Sequence, residues 1–302
     1  MKIRLRSNKP RKIDVPVCVV RLDRIELIAE PKQHGRNVPP VTDYRCLKDH
    51  FVPSQTSIPT YKRCRRLQHN DSGMKVFWQY QPECGFLREW KFSCCPNDKR
   101  GFRIADVIPI LKQCRTYRLI SVELSLDFPA GSFVDDGFIK RHARFGKSHR
   151  QFDRGGPDQL RYGTRKSSKL VRCYVKPPVS SYRVELELHS GFLRKHRIAS
   201  FLDLEKLVTS ICPNHLLFVQ IRWERLRQYL VQKFGDRRGG AIFQAARERS
   251  RSLLLVLQYL TRNGVVNRHR FLRPMEINQN IRQAMQAWSD RVGKELLCIK
   301  TI

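Results

Sequence analysis

The sequence predicts an α+β fold, in which an antiparallel sheet with flanking helices is followed by a helical C-terminal region. In the run 119–128, apolar and polar side chains alternate without interruption from residue 120 onward, which is the pattern of a half-buried strand. Two strand-like runs, 169–176 and 182–189, are joined across a Pro-Pro pair and indicate a hairpin. From residue 198 onward the apolar residues recur at helical spacing. Strands with intervening helices, followed by helices alone, are typical of α+β proteins.

The elements that precede residue 119 follow from the same criteria. An apolar run over residues 15–29 begins the predicted sheet, and the parity of its apolar positions changes near Asp23, which indicates a β-bulge. Runs at 74–80 and 86–94 predict another hairpin, and residues 104–117 carry the spacing of an amphipathic helix. Each half of the N-terminal region therefore contains an acid-bearing strand and a hairpin, a pattern consistent with duplicated βαβ-type units.

These patterns divide the chain into a basic arm at 1–13, an α+β domain at 14–212 and a basic helical region at 213–302. The second boundary is placed where the strand patterns end. The helical segments predicted in the last part of the chain are 198–211, 216–234, 241–259 and 275–297.

Charge and composition restrict the class of protein. The 302 residues contain 59 Lys+Arg against 27 Asp+Glu, a formal net charge of +32, so a phosphate polyanion is the first candidate partner and an anionic membrane surface the second. A hydrophobic fraction of 41% excludes a disordered basic tail protein. No apolar run is long enough to span a bilayer, and no signal-peptide pattern follows the basic N-terminus, so we expect a cytoplasmic protein.

The ten cysteines are scattered along the chain without a Cys-x-x-Cys pair. A tetrahedral zinc site needs clustered ligands, so this distribution favours reduced thiols over structural zinc. Cys18 and Cys173 lie inside apolar strand patterns, where a reduced cysteine behaves as a small hydrophobic residue.

The hairpin at 169–189 carries the candidate chemistry on its polar face. A register that places the apolar residues of both strands on one side sets Tyr174 opposite Glu185, and Arg172 opposite Glu187. A tyrosine hydroxyl, two carboxylates and a guanidinium would then share one surface.

Further charged residues extend this surface. Lys176 and Arg183 lie at the turn end of the hairpin, and the strand 119–128 offers Glu123 and Asp127 on its own polar face. Carboxylates brought so close repel one another unless a cation neutralises them, and oxygen ligands favour Mg²⁺ or Mn²⁺. The predicted metal ligands are the four acids of the two elements, Glu123, Asp127, Glu185 and Glu187.

The combination of a tyrosine with a metal is typical of phosphoryl transfer. A phenol with a pKa of about 10 is a poor nucleophile at neutral pH. A metal that binds the scissile phosphate polarises the phosphorus and stabilises the charge that develops there. The shared face follows from the residues alone, whereas the reaction follows from a resemblance to a known family.

Three motifs in fixed order carry that resemblance. They are Leu-Arg-Tyr-Gly-Thr-Arg-Lys-Ser at 160–167, Leu-Val-Arg-Cys-Tyr-Val-Lys at 170–176 and Tyr-Arg-Val-Glu-Leu-Glu-Leu at 182–188. They resemble the turn and the two strands of the replication-initiation-factor (Rep_trans) family. The stretch Ser-Val-Glu-Leu-Ser-Leu-Asp at 121–127 is similar to the acidic strand of that family, with Glu123 in place of its first aspartate.

The resemblance implies a rolling-circle replication initiator of a plasmid or phage, acting in the cytoplasm of a bacterial host cell. Such enzymes nick one strand of a single-stranded or cruciform origin, keep a 5′-phosphotyrosine and leave a 3′-OH primer. By motif, Tyr174 is the nucleophile, while Arg172 and Lys176 hold phosphate oxygens. The implied fold is distantly related to that of the His-hydrophobe-His nickases. A second copy of the chain and a host helicase are further candidate partners.

Basic residues around the nucleophile and on a later helix are the candidate DNA contacts. The later cluster either reads origin sequence in a groove or contacts phosphates alone. The candidate DNA-binding residues are Arg161, Arg165, Lys166, Lys169, Arg183, Arg222, Arg225, Arg237 and Arg238.

Other interpretations remain open at this point. The acids can instead be solvated ion-pair partners of neighbouring arginines, and Tyr162 is the rival nucleophile. A non-catalytic DNA-binding regulator or phage protein on the same fold explains the charge, and so does an RNA- or ribosome-bound protein. One geometric observation separates them: carboxylates from both elements must lie within reach of one metal ion on the Tyr174 side of the sheet.

Overall fold

The computed structural model describes most of the chain from residue 18 onward. The described residues are 18–32, 51–54, 61–67, 75–80, 90–94, 107, 111–112, 114–146, 149–152, 159–164, 166–177 and 181–297. The predicted basic arm therefore lies outside the described residues.

Ten of the described strands form one antiparallel sheet, as the α+β prediction requires. The first five are β1 Val19–Pro31, β2 Phe51–Ser54, β3 Tyr61–Leu67, β4 Lys75–Tyr80 and β5 Trp90–Cys94. The second five are β6 Cys114–Phe128, β7 His149–Phe152, β8 Gln159–Tyr162, β9 Lys169–Lys176 and β10 Ser181–His189. Their order across the sheet is β2-β3-β4-β5-β1-β6-β10-β9-β8-β7.

The two long strands β1 and β6 pair at the centre, and the strand order is the same on both sides of them. Outward from β1 the sequence is β5, β4, β3 and β2, while outward from β6 it is β10, β9, β8 and β7. In each half, the chain passes from the central strand to the far edge of the sheet and then comes back, strand by strand, to the position beside the central strand. The centre of the sheet is where the two halves meet.

The bulge predicted near Asp23 is confirmed. Leu22 pairs with Leu124 and Arg24 pairs with Glu123, so Asp23 is the extra residue on β1. The predicted helix at 104–117 is wrong at its end, because residues 114–117 begin β6 and pair with the last residues of β1. Most of the remaining residues of that predicted helix lie outside the described part.

One of the helices named here lies between β6 and β7, and the others follow β10 in the chain. They are α1 Asp136–His142, α2 Ser190–Lys195, α3 (the continuous turns Leu204–Lys206, Leu207–Ile211 and Cys212–His215), α4 Trp223–Phe234, α5 Asp236–Glu248, α6 Leu253–Arg262 and α7 Ile277–Leu297. Two short strands, β11 Val219–Ile221 and β12 Leu272–Pro274, pair with each other. The sequence patterns did not predict these strands, because a run of three residues is too short to show the alternation of a strand. β11 therefore falls within the segment 216–234 that was predicted to be helical. None of the described helices combines the length and the apolar character that crossing a membrane requires.

The main core lies between one face of the sheet and the helices. Alternate residues such as Leu124 on β6, Leu186 on β10 and Cys173 on β9 are almost fully buried in it. The C-terminal helix α7 joins the same core through Ile281 and Met285. The described residues 213–297 are therefore not one packing unit, since their last helix belongs to the core of the sheet.

Residues 219–274 form an insert with a separate small core. Leu226, Leu230, Ile242 and Val256 from α4, α5 and α6 pack together there. The chain enters through β11 and leaves through its partner β12, so both ends of the insert lie side by side. Gly239 allows α5 to cross close to α4, because a Cβ atom at this position would overlap the backbone of Leu230.

Cys18 and Cys173 are buried free thiols, as expected from their strand patterns. Cys94, Cys114 and Cys212 are buried free thiols as well.

Candidate metal and nucleophile site

The face of the sheet opposite the main core is charged, although much of it is buried. Glu123, Arg183 and Glu185 are each only 4% exposed. We call this surface, on β1, β6, β9 and β10, the ionic face. Charges removed from water need partners, and most charged groups on this face lie against opposite charges. The residues of the ionic face used below are Arg21, Asp23, Arg24, Glu123, Asp127, Arg172, Tyr174, Arg183, Glu185 and Glu187.

The predicted register of the β9–β10 hairpin is wrong by two residues. Tyr174 pairs with Arg183 and Arg172 pairs with Glu185. This register extends the pairing to Lys176 and Ser181 and leaves four residues in the loop. A shift by two keeps every side chain on its face, so the predicted polar surface is retained. The apolar pattern determines the face of each residue but not which of two equivalent registers forms.

Three carboxylates from three adjacent strands converge on the ionic face. Asp23 on β1, Glu123 on β6 and Glu185 on β10 each offer an oxygen atom, and these atoms lie within 4.8 Å of one another. We call this group the acidic triad. Two of its members, Glu123 and Glu185, are predicted metal ligands, and Asp23 is a residue that the sequence interpretation missed. The predicted β-bulge could have identified Asp23, because a bulge at this position places an extra polar residue of β1 beside Glu123.

The other two predicted ligands do not belong to the acidic triad. Asp127 is held by Arg183, whose Nε and Nη2 atoms donate to its two carboxylate oxygens at 2.6 and 2.7 Å. Glu187 lies at the margin, with one oxygen 3.7 Å from Arg172 Nη2 and the other 3.5 Å from Nε2 of His189. An arginine fork leaves Asp127 little freedom to bind a metal.

Two arginines predicted to contact DNA are engaged by these acids. Arg183 also donates from Nη1 to Asp23 at 2.5 Å and is nearly inaccessible to solvent. Arg172 places Nη2 at 2.9 Å from Glu123 Oε1 and Nε at 3.1 Å from Glu185 Oε2. In this arrangement both guanidinium groups neutralise carboxylates.

Tyr174 is in direct contact with the acidic triad. Its hydroxyl donates to Oε2 of Glu185 at 3.2 Å. Burial raises the pKa of Tyr174 well above its ordinary value, and the nearby Glu185 carboxylate raises it further. The rival Tyr162 lies in the main core against Phe145, on the opposite face of the sheet. Of these two tyrosines, Tyr174 alone faces the acids.

The buried carboxyl groups of the acidic triad are costly to ionise. Burial raises the pKa of Glu123 to about 8, and the Glu185 carboxylate adds to the shift against the opposing effect of Arg172. Burial likewise raises the pKa of Asp23. Oε2 of Glu123 is buried without a hydrogen-bond partner. An all-oxygen donor set with an unsatisfied buried oxygen fits a divalent cation such as Mg²⁺ or Mn²⁺.

The candidate DNA-binding residues near the hairpin occupy different surroundings. Lys166 is exposed in the turn before β9, and Arg161 on β8 is half-exposed with its guanidinium hydrogen-bonded to Gln159. Lys169 faces the helices, where Nζ donates to the Phe145 carbonyl at 2.8 Å. Its alternation with Val171 explains that orientation. Arg165 lies outside the described residues.

Lys176 is buried at the end of β9, with 8% of its surface exposed. Gly163 in the preceding turn has a positive φ of 99°, and a Cβ atom there would lie 2.7 Å from the Lys169 carbonyl oxygen. The close approach that this glycine permits is therefore between two segments of the protein itself.

The second basic cluster lies on the insert. Its predicted DNA-binding residues Arg222, Arg225, Arg237 and Arg238 are all exposed on or beside α4 and α5. The guanidinium of Arg238 lies 5.3 Å from the centre of the Phe234 ring, which restricts its motion. The insert contains 13 Lys+Arg against 3 Asp+Glu, so the surface is strongly cationic.

No protein-family model matches the chain, and no curated protein matches its sequence.

Proposed function

We propose that this protein initiates rolling-circle DNA replication by nicking one strand at an origin. Tyr174 is the nucleophile, and the products are a 5′-phosphotyrosine and a free 3′-OH. The protein is a metal-dependent nicking and strand-transfer endonuclease in this proposal. The resemblance of residues 119–190 to the replication-initiation-factor family suggests the reaction, and the ionic face supplies groups that suit it.

The observation that carries the proposal is the contact between Tyr174 and the acidic triad. The tyrosine hydroxyl donates to Glu185, which lies within 4.8 Å of both Asp23 and Glu123. A base in hydrogen-bond contact with a hydroxyl is the basic requirement for activating it as a nucleophile. These groups come from four different strands, so only the folded sheet brings them together.

The contact also suggests the path of the proton. The raised pKa keeps the Tyr174 hydroxyl protonated at neutral pH, so attack requires a base. Glu185 Oε2 accepts the proton as the phenolic oxygen bonds to phosphorus. The bond from phosphorus to the 3′-oxygen breaks, and the departing oxygen takes a proton from water. The reaction exchanges one phosphodiester for another, which makes later strand transfer possible.

The acidic triad would hold the divalent cation. When bound, Mg²⁺ or Mn²⁺ would polarise the scissile phosphate and stabilise its developing charge. Asp23 replaces Asp127 in the proposed ligand set, because Asp127 is held by the fork of Arg183. The cation would also relieve the repulsion that raises the pKa of Glu123.

The cationic surfaces would hold DNA around this site. The net charge of +32 suits a polyanion, and counterion release would make binding sensitive to salt. We retain Arg161, Lys166, Arg222, Arg225, Arg237 and Arg238 as candidate phosphate contacts. Lys169 and Arg183 have protein partners instead and do not belong to this set.

The equal strand order on either side of the β1–β6 pair supports an origin by duplication of a five-stranded unit. In this proposal the acidic triad lies at the junction of the two units, because β1 and β6 are their corresponding first strands. A distant relationship to the His-hydrophobe-His nickases is part of the same proposal.

A non-catalytic DNA-binding protein on this fold is the second candidate. The observation that favours it is that Arg172 and Arg183 already neutralise the acids, as in a structural ion-pair network. It predicts salt-sensitive DNA binding without a metal requirement.

A nicking assay tests the proposed function. Supercoiled DNA that carries the coding sequence and its flanks should be relaxed by the protein with Mn²⁺, and not with EDTA. Tyr174→Phe should abolish relaxation, whereas Tyr117→Phe, a half-buried tyrosine elsewhere on β6, should leave it intact. Normal nicking by Tyr174→Phe would disprove the assignment of the nucleophile. DNA binding without nicking by the wild-type protein would favour the second candidate.

A further inference from the structure

Arg172 and Arg183 satisfy the acids of the ionic face in different ways. Arg183 fits Asp127 as a bidentate fork, with both bonds shorter than 2.8 Å. Arg172 is instead shared among Glu123, Glu185 and Glu187 at 2.9, 3.1 and 3.7 Å. The first arrangement is a complete ion pair, whereas in the second one guanidinium serves three carboxylates and Arg24 assists at Glu123 from 3.7 Å.

The distributed arrangement leaves buried atoms unsatisfied on both sides. Nε of Arg172 lies 3.1 Å from Glu185 Oε2 but without the geometry of a hydrogen bond, and Oε2 of Glu123 has no hydrogen-bond partner. Glu123 is only 4% exposed, and Nη1 of Arg24 lies 3.7 Å from the same oxygen, an ion-pair distance that is too long for a hydrogen bond. Glu123 belongs to the acidic triad, whose ligand oxygens lie within 4.8 Å of one another. The guanidinium therefore neutralises this site without fitting it.

A divalent cation and the Arg172 guanidinium cannot both remain among these carboxylates at low cost. Like charges a few ångströms apart repel strongly in a site with little water. The same two acids, Glu123 and Glu185, contact Arg172 and belong to the acidic triad. Binding of one cation must therefore weaken binding of the other.

We propose that Arg172 occupies the divalent-cation site in the metal-free protein and is displaced when Mg²⁺ or Mn²⁺ binds. The released guanidinium becomes a contact for a DNA phosphate. This inference rests on the proposed metal site and deepens it, because it couples metal binding to DNA binding. Arg172 is a positioning residue in this scheme, and the site is closed to phosphate until a metal is present.

The neighbouring strand supplies a second reason for the released side chain to bind phosphate. Arg172 on β9 pairs directly with Arg161 on β8. Like charges directly opposite each other across a sheet repel, and an anion between them removes the repulsion. Arg172 is 23% exposed and Arg161 is half-exposed, so both can reach a ligand at this edge of the ionic face.

The coupling has a thermodynamic consequence. If metal binding releases Arg172 to hold phosphate, then phosphate binding must raise the affinity for metal by the same factor. Mn²⁺ should therefore strengthen binding of single-stranded DNA, and the increase should depend on the arginine. A purely structural Arg172 would give no such dependence.

The first experiment measures Mn²⁺ affinity at pH 7.5 from the electron paramagnetic resonance signal of free Mn²⁺. Arg172→Gln should bind one Mn²⁺ about fivefold more tightly than the wild type, or more, because the competing charge is gone. Arg282→Gln removes the same charge from an exposed position on α7, which packs against the opposite face of the sheet, and its Mn²⁺ affinity should stay within about twofold of the wild type. Equal or weaker binding by Arg172→Gln would overturn the inference.

A second variant guards against loss of folding. Arg172→Lys keeps the positive charge but loses the planar fork, so its Mn²⁺ affinity should lie between those of the wild type and Arg172→Gln.

The second measurement is the affinity for a 20-nucleotide oligothymidylate with Mn²⁺ or with EDTA. Mn²⁺ should strengthen binding by the wild type and have no such effect on Arg172→Gln. An equal Mn²⁺ effect on both proteins would also overturn the inference.

The outcomes separate this inference from the proposed function. If neither the wild type nor the variants bind Mn²⁺, the metal site and the role of Arg172 both fail. If Mn²⁺ binding and the oligothymidylate effect follow the expected order but Tyr174 forms no DNA adduct, the nicking proposal fails and the displacement of Arg172 stands.

Discussion

Arg183 and Asp127 lie opposite each other on β10 and β6 and form a two-bond ion pair at 2.6 and 2.7 Å. The arginine is almost completely buried, so its charge depends on this partner and on Asp23. Through Asp127 and Asp23, Arg183 connects β10 with β6 and β1, the three strands that carry the acidic triad. The pair also explains why one predicted metal ligand is a structural residue.

Removal of this partner should destabilise the protein strongly. Asp127→Asn leaves a buried guanidinium without its fork and should lower the free energy of unfolding by about 3 kcal/mol. Urea denaturation monitored by circular dichroism measures the change. Asp290→Asn, an exposed position on α7, is the matched control and should change stability by less than about 0.5 kcal/mol. A small effect at Asp127 would show that the ion pair contributes little.

Stability in EDTA should fall as the pH rises from about 5 to about 8. The folded pKa of Glu123 is raised from 4.5 to about 8, so the folded state keeps a proton that the unfolded state has released in this range. The stabilisation is complete below the unfolded pKa and is lost as the pH passes through the folded pKa. Asp23, whose pKa is also raised, acts in the same direction.

Glu123→Gln tests this pH dependence. One proton contributes at most about 1.4 kcal/mol per pH unit to the slope of the unfolding free energy against pH. Glu123→Gln should lose most of the contribution that Glu123 makes to this slope. Urea unfolding at pH 5.5, 6.5, 7.5 and 8.5 gives the slope. An unchanged slope in Glu123→Gln would contradict the raised pKa of this carboxyl.

The composition of the acidic triad predicts which acid binds metal. Asp23→Asn should weaken Mn²⁺ binding about tenfold or more, because it removes one of three charged oxygen ligands. Glu187→Gln should retain the affinity of the wild type within about threefold, since Glu187 lies outside the triad. Calorimetric titration with Mn²⁺ compares the two. The reverse order would restore the ligand set predicted from sequence.

The insert should contribute phosphate contacts that depend on salt. Arg237→Gln removes an exposed charge and should reduce the slope of log affinity against log salt by about one for duplex DNA. Fluorescence anisotropy between 50 and 200 mM salt measures this slope. Arg282→Gln changes an exposed arginine on α7, outside the insert, and serves as the comparison. Equal slopes for Arg237→Gln and the wild type would exclude Arg237 as a phosphate contact.

Alternation of side chains made part of the site predictable. It placed Tyr174, Glu123 and Glu185 on one face, and the structure brings them together. The same rule places Lys169 on the core face with Val171. The prediction of Lys169 as a DNA-binding residue did not take this into account.

The rest depended on features that alternation does not encode. Two registers of the hairpin share the same faces, so the sequence could not distinguish them. The bulge was visible, but its effect of bringing Asp23 beside Glu123 required the pairing of β1 with β6. Long arginine side chains can reach several partners, and only the folded sheet shows that Arg183 engages Asp127.

The most direct test of the central claim is to locate a covalent adduct by mass spectrometry. The protein is incubated with Mn²⁺ and DNA that carries its coding sequence and flanks, treated with nuclease and protease, and examined for nucleotide-bearing peptides. The proposal predicts a nucleotide linked through phosphate to Tyr174, absent with EDTA and in Tyr174→Phe. Nicked DNA with the adduct on another residue, or with no adduct, would contradict it.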